Sequence, residues 1–219
     1  NIRAAMPSSP IFIIHSGAKA EGALQQALVA ELERQPAVQY TLFNWSSAAK
    51  LTTALKGSPN AAVVSIYQQD RAKNRIYVSQ LLNKLASFKS KTPTLFSVTD
   101  WTSEQPDVDF AQLQSLSYHT FYSDWDRGDA VQKGFITRFH ERYKTEPVTT
   151  YAATANDIII FFVTGLQQKG TEFFRQPVLQ KPEGMLGEFR FAPSAEGCGF
   201  ENQKATLYRM TDYRFTPIP

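Results

Sequence analysis

At 219 residues, 42% hydrophobic and 13% aromatic, the chain is long enough to bury a substantial core without disulfide or metal staples. Its formal charge of +3, from 23 Lys and Arg against 20 Asp and Glu, is small and dispersed, and no RNP-type, helix-turn-helix or zinc-finger spacing occurs, which argues against a nucleic-acid partner. A single cysteine, Cys198, excludes an intrachain disulfide and a cysteine-based metal cage, and the most apolar run, Ile158 to Val163, is far too short to cross a bilayer.

The chain opens at Asn1 with neither an initiator Met nor a signal-like segment, and reads as a processed product or, the preferred reading, a piece of something longer. Ile11 to Ile14, framed by Pro10 and by Ser16-Gly17, predicts a strand buried on both faces. Leu24, Leu28 and Leu32 then recur every four residues, which predicts an amphipathic helix from Ala18 to Arg34 with Ser16 as its cap. Val38 to Phe43 is a second strand, and Ser46 or Ser47 opens a short helix that Gly57-Ser58-Pro59 stops. Ala61 to Tyr67 is a third buried strand, followed by a helix with Val78, Leu81, Leu82, Leu85 and Phe88 on one face.

Thr94 to Val98 predicts a fourth strand and Tyr118 to Tyr122 a fifth, with a loop and one helical turn between Thr102 and Ser115. Repeated strand-helix-strand crossovers with buried strands imply a parallel sheet with helices on both faces, in the order 2-1-3-4-5. Beyond Asp126 the rhythm changes. Val131, Phe135, Phe139 and Tyr143 mark a helix from about Gly128, a second runs from Thr150 to Gln168, and Glu146-Pro147 breaks them apart. Leu186 to Phe191 and Ala205 to Tyr213 read as late strands or a hairpin across the Gly197-Cys198-Gly199 loop.

This order of elements resembles the second half of the type I periplasmic binding proteins, which include the branched-chain amino acid receptors. The resemblance is carried by the first strand with Ser16-Gly17, by the strand ending at Tyr67, by Phe135, Phe139 and Tyr143 ahead of Pro147, and by Tyr151 to Leu166, where this chain has Ala155-Asn156-Asp157. The tail, Gly187 to Phe191 followed by Gly199 to Asn202 and Tyr208, is similar to a Bacteroidetes branch of that family attached to LysM peptidoglycan-binding modules. The resemblance implies a periplasmic or cell-envelope location and a small amino-acid-like ligand or peptidoglycan fragment as partner. It also implies that a first lobe is absent from this chain.

In an open parallel sheet a ligand sits beyond the carboxyl ends of the strands, where strand order reverses. For the order 2-1-3-4-5 that point lies between strands one and three. Ser16, Gly17, Tyr67 and Gln68 flank it, with Asp100 and Trp101 nearby after strand four. Backbone N–H groups at the helix start after Ser16 suit a carboxylate, and Tyr67 or Trp101 suits an apolar side chain. The competing reading makes Ser16 only an N-cap, and Tyr67 and Trp101 only the rim of the fold.

Catalysis has little to stand on. His15 and Ser16 are neighbours at a strand end and point to opposite sides, and no Gly-x-Ser-x-Gly elbow exists. His119 and His140 lack the spacing of a metal site, no glycine-rich phosphate loop is present, and Asp107 and Asp109 read as a solvated loop. Phe135, Phe139, Tyr143, Ile158 and Phe162 read as core; the resemblance implies that these helices contribute to the absent lobe, so that part of their apolar face is either exposed or packed on this lobe instead.

The sequence therefore predicts an α/β three-layer sandwich, residues 1–127 forming the parallel-sheet lobe and 128–219 adding helices and a terminal hairpin. It predicts a binding module without catalysis, cofactor or metal; the alternative is a scaffolding or protein-interaction domain of a LysM-type envelope protein that takes no small molecule.

Overall fold

A computed structural model describes residues 6, 8–35, 38–58, 60–88, 92–104, 107–121, 130–145, 147, 149–175, 189, 191–194, 199–202 and 207–218. The chain divides into two compact units, Asn1–Tyr122 with Thr206–Pro219, and Ser123–Ala205.

The first unit is built on strands β1 (Ile11–His15), β2 (Tyr40–Asn44), β3 (Ala62–Ser65), β4 (Thr94–Ser97) and β5 (His119–Phe121). They pair in parallel in the order β2-β1-β3-β4-β5, as the buried runs and crossover lengths predict. Two-residue periodicity sorts the side chains. Phe12, Ile14, Val63 and Leu95 face one core, with Leu51 and Leu55 of helix α2 (Ala48–Gly57) and Tyr77, Val78, Leu81, Leu82 and Leu85 of helix α3 (Arg71–Ala86). Ile11, Ile13, Ala62, Val64 and Phe96 face the other, covered by Leu32, Leu28 and Leu24 of helix α1 (Lys19–Glu33). Ile11, Ile13, Ile14, Leu51, Leu55, Leu81 and Leu85 are completely buried, each contributing roughly 1.5–3 kcal/mol of apolar burial.

Two segments depart from the sequence reading. The stretch expected as a loop with one helical turn holds two short helices, α4 (Trp101–Glu104) and α5 (Phe110–Ser115). Asp109 is the reason for the second: its carboxylate accepts from the N–H groups of Ala111 and Gln112 and caps the helix. Asp107 pairs with Arg75, so these acidic groups serve local structure. At the C-terminus, β8 (Leu207–Thr211) joins β5 antiparallel and β9 (Arg214–Pro217) follows it, extending the sheet to seven strands. The tight turn lies at Asp212-Tyr213, both at positive φ (51° and 60°), the backbone of a two-residue primed hairpin. Asp-Tyr lacks the usual Gly signal. These last strands, grouped in the sequence reading with the C-terminal helices, pair with the sheet.

The second unit contains helix α6 (Ala130–Tyr143), helix α7 (Thr149–Lys169), a 3-10 turn (Gly170–Phe174), and strands β6 (Phe191–Pro193) and β7 (Phe200–Asn202), paired antiparallel. This pair flanks the loop predicted around Gly197-Cys198-Gly199. Leu186 to Glu188, Gly197, Cys198, Tyr122 and Glu146 lie outside the described residues. Its core is aromatic: Phe161 and Phe173, 1% and 0% exposed, stand 5.2 Å apart, and Phe161 also meets Phe189 and Phe191 at 5.1 Å. On α7, Ile158, Ile159, Ile160, Phe162, Val163 and Leu166 are all exposed, so the stripe expected as core is largely uncovered. Among the described residues no helix is long and apolar enough to cross a membrane.

Gly165 shows how tightly the aromatic core is packed. A Cβ there would collide with the ring of Phe173, which has no free volume to retreat into. Gly165→Ala is expected to destabilise the second unit by about 1–3 kcal/mol through overpacking, although alanine favours helix by about 1 kcal/mol. Urea unfolding followed by circular dichroism measures the sign.

His119 on β5 is 4% exposed and stacks on Phe96 with centroids 4.4 Å apart. Burial lowers its pKa to about 4, and the nearby charge of Arg209 adds to the shift. The unfolded chain, with an ordinary imidazole, takes up the proton first as pH falls. Stability is therefore expected to be full above about pH 6.5 and to decline between 6.5 and 4. His119→Phe, which keeps the stacking, should flatten that limb in melts recorded across the window.

Candidate functional site at the strand ends

The reversal of strand order lies between β1 and β3, and both chains leave the sheet there into polar loops. After β1, Ser16 and Gly17 turn the chain into α1. Gly17 sits at φ +82°, and a Cβ on it would lie 3.0 Å from the Nδ2 of Asn44, so the position demands glycine. After β3 the chain passes through Tyr67, Gln68 and Gln69 before Asp70 caps α3 by accepting from the N–H of Lys73.

A residue that the sequence reading did not single out joins these two loops. Glu21, in the first turn of α1, is 1% exposed. Its Oε2 accepts from the N–H of Ser16 at 2.6 Å; its Oε1 accepts from the Ser16 hydroxyl at 2.6 Å and from the N–H of Gln68 at 2.7 Å. Three donors from two strand ends thus compensate one buried carboxylate. The Ser16 hydroxyl donates to Glu21 and accepts from the N–H of Ala18 (3.0 Å) and the Nε2 of Gln69 (2.7 Å), which fills its bonding capacity. Asn44, at the end of β2, donates to the Ser16 carbonyl at 3.3 Å.

This arrangement corrects the predicted cap. The N-cap of α1 is Ala18, whose extended backbone leads into the helix without a side-chain cap; Ser16 lies two residues earlier. Glu21 carried one sequence signal, an acidic residue in a helical first turn, which ordinarily reads as favourable dipole placement in water. That it folds back under the loops depends on the position of Gln68, 47 residues away.

The aromatic groups are layered. Tyr67, half-buried, stacks on Tyr77 with centroids 3.8 Å apart and planes within 6°. Burial, and secondarily the charge of Glu21, raise the pKa of the Tyr67 phenol. Tyr77 is 2% exposed and shares a hydrogen bond of 2.7 Å with the Ser65 hydroxyl; burial pushes its pKa strongly upward. Trp101, also 2% exposed, stacks on Tyr118 at 5.5 Å, meets Tyr77 edge-on at 6.2 Å, and donates its backbone N–H to the Tyr118 hydroxyl. Trp101 is therefore part of the core behind Tyr77. Asp100 accepts from the N–H and hydroxyl of Thr102 at 2.9 and 2.7 Å, closing the turn into α4.

The structure thus gathers Ser16, Gly17, Gln68 and Gln69 around Glu21, with Tyr67 beside them and Asp100 and Trp101 at the end of β4. His15, weighed with Ser16 as a nucleophilic pair, makes no described hydrogen bond to it. Among the described residues no group of three or more His, Cys, Asp or Glu converges on one point. A groove of about 330 Å³ between α3 and α5, lined by Arg75, Val78, Leu82, Asp107 and Gln112, shares no residue with the strand-end cluster; its ion pair is exposed, where such pairs contribute little.

No family model matches the chain, and no curated protein matches it. Among solved structures it is similar to the amino acid ABC transporter substrate-binding protein from Pseudomonas fluorescens Pf-5, at 12% sequence identity and a TM-score of 0.51. The match covers 99% of this chain and 60% of that protein. The likeness shows a periplasmic-binding-protein-like fold, and the chain spans about 60% of the length of the protein that it resembles.

Glu21→Gln tests whether the carboxylate holds the strand ends together. The amide presents an NH₂ to one group of donors and removes the charge that strengthens the others. A loss of roughly 1–3 kcal/mol is expected, with faster amide hydrogen exchange at Ser16 and Gln68 as the local readout.

Proposed function

We propose that this chain is a non-enzymatic ligand-binding module of the bacterial cell envelope, capturing a small amino-acid-like or peptidoglycan-derived molecule at the carboxyl ends of β1 and β3. The observation that supports it is the convergence, at the point where strand order reverses, of a polar cluster with a half-exposed aromatic ring, Tyr67. Such a pairing of oriented hydrogen-bonding groups with an apolar platform is how small polar ligands are fixed. Ser16, Gly17 and Gln68 form the floor of the site, Tyr67 its wall, and Asp100 and Trp101 the support at its far side. The solved structure that the chain resembles is that of a substrate-binding protein, which agrees with this class of function.

Affinity follows from enclosure. A receptor that closes two lobes on a ligand removes most of its surface from water, and this chain's strand ends supply one side. The entropic cost of immobilising the ligand is nearly the same with half the contacts. Binding by these residues alone is therefore expected near millimolar, about 4 kcal/mol. Titration calorimetry against free amino acids and small muropeptides measures it, with Tyr67→Ala expected to abolish the signal. Absence of heat with every member of the panel, at protein concentrations that would detect millimolar binding, removes the small-ligand reading.

A second reading draws on the exposed apolar residues of α7. A scaffolding or protein-interaction domain of a LysM-type, peptidoglycan-anchored protein would use such a surface rather than the strand ends. Under that reading Tyr67→Ala is silent, and Ile159→Lys disrupts assembly.

A further inference from the structure

We infer that the strand ends form a carboxylate-binding pocket which the chain keeps filled with its own Glu21, so that an acidic ligand enters only by displacing that side chain. The inference rests on the reading that the strand ends are the ligand side, and adds a built-in occupant to it. Three donors define the pocket: the N–H of Ser16, the hydroxyl of Ser16 and the N–H of Gln68. They come from the separate loops after β1 and β3, and they meet where an open parallel sheet offers its ligand site. What they enclose is a carboxylate with both oxygens engaged and 1% exposure.

The side chain that supplies this carboxylate is attached through flexible methylenes to the first turn of α1, with Gly17 at positive φ and Ala18 just ahead of the helix. The donors belong to the loops and to the backbone, so they remain when Glu21 is removed. With Glu21 seated, a ligand carboxylate finds those donors taken and meets a like charge. The pocket is thus selective against anions in the structure seen here, and its competence for them depends on whether the first turn of α1 releases Glu21.

Chemical rescue tests this directly. Glu21→Ala empties the pocket while the chain keeps all three donor groups, and acetate is the probe. Melting of the wild-type chain and of Glu21→Ala is compared in sodium acetate and in sodium chloride at equal ionic strength and pH 7. Acetate is expected to raise the Tm of Glu21→Ala by about 3 °C or more over chloride, as binding to the native state alone requires, and to leave the wild-type Tm unchanged. An equal response of both proteins, or none in a folded Glu21→Ala, overturns the inference. Should Glu21→Ala fail to fold in chloride, its refolding yield becomes the readout: recovery in acetate supports the pocket, and no recovery overturns it.

The calorimetric panel separates the two readings. Acetate rescue of Glu21→Ala with no amino acid bound by the wild-type chain supports the self-filled pocket and removes the small-ligand function. Millimolar binding of an amino acid by the wild-type chain, lost in Tyr67→Ala, with no acetate rescue of Glu21→Ala does the reverse.

Discussion

Strands β1 and β3 lie side by side with both faces covered, and this constraint governs the first unit. A strand buried on two sides must be apolar or have its polar groups paired: Ile11 to Ile14 and Ala61 to Ile66 are 6% exposed or less throughout, and the one polar residue among them, Ser65, is bonded to Tyr77. Parallel pairing then forces each connection to cross over a face of the sheet, which accounts for α1 on one face and α2 and α3 on the other. It also sends the two central strands' exits in opposite lateral directions. The polar cluster lies in the gap between those exits.

The cluster is held by shared hydrogen bonds. Glu21 is compensated by three donors, Ser16 is saturated, and Asn44 and Gln69 tie the neighbouring loops to the same serine. The same logic recurs at the end of β4. There the Ser97 and Thr120 hydroxyls and the Tyr118 phenol surround the Thr99 carbonyl and hold Trp101 in place. Buried polar networks of this kind rigidify a loop when fully satisfied. They hold Trp101, whose ring meets Tyr77 edge-on, and Tyr77 stacks in turn on Tyr67.

The second unit has a different balance. Its buried centre is a cluster of phenylalanines around Phe161 and Phe173, while most of the apolar residues of α7 are exposed.

The sequence by itself determined the parallel sheet, its five strands and their order. Buried runs bounded by Pro and Gly, alternating with four-residue leucine spacing, are local signals that tertiary contacts reinforce rather than oppose. It also located the strand ends at Ser16-Gly17 and Tyr67-Gln68, because strand order dictates where they fall. Only the tertiary structure decided what those ends contain. Glu21 looks like any acidic residue in a helical first turn until the loop carrying Gln68 arrives beside it, and no local pattern encodes a partner 47 residues away. Trp101 reads from sequence as a ligand cover or as rim of the fold; the hydroxyl of Tyr118 and the ring of Tyr77, brought in from other elements, make it core instead. The Asp212-Tyr213 hairpin was hard to see for a related reason: Asp tolerates a positive φ, but that of Tyr213 is imposed by the register of β8 against β5 and β9.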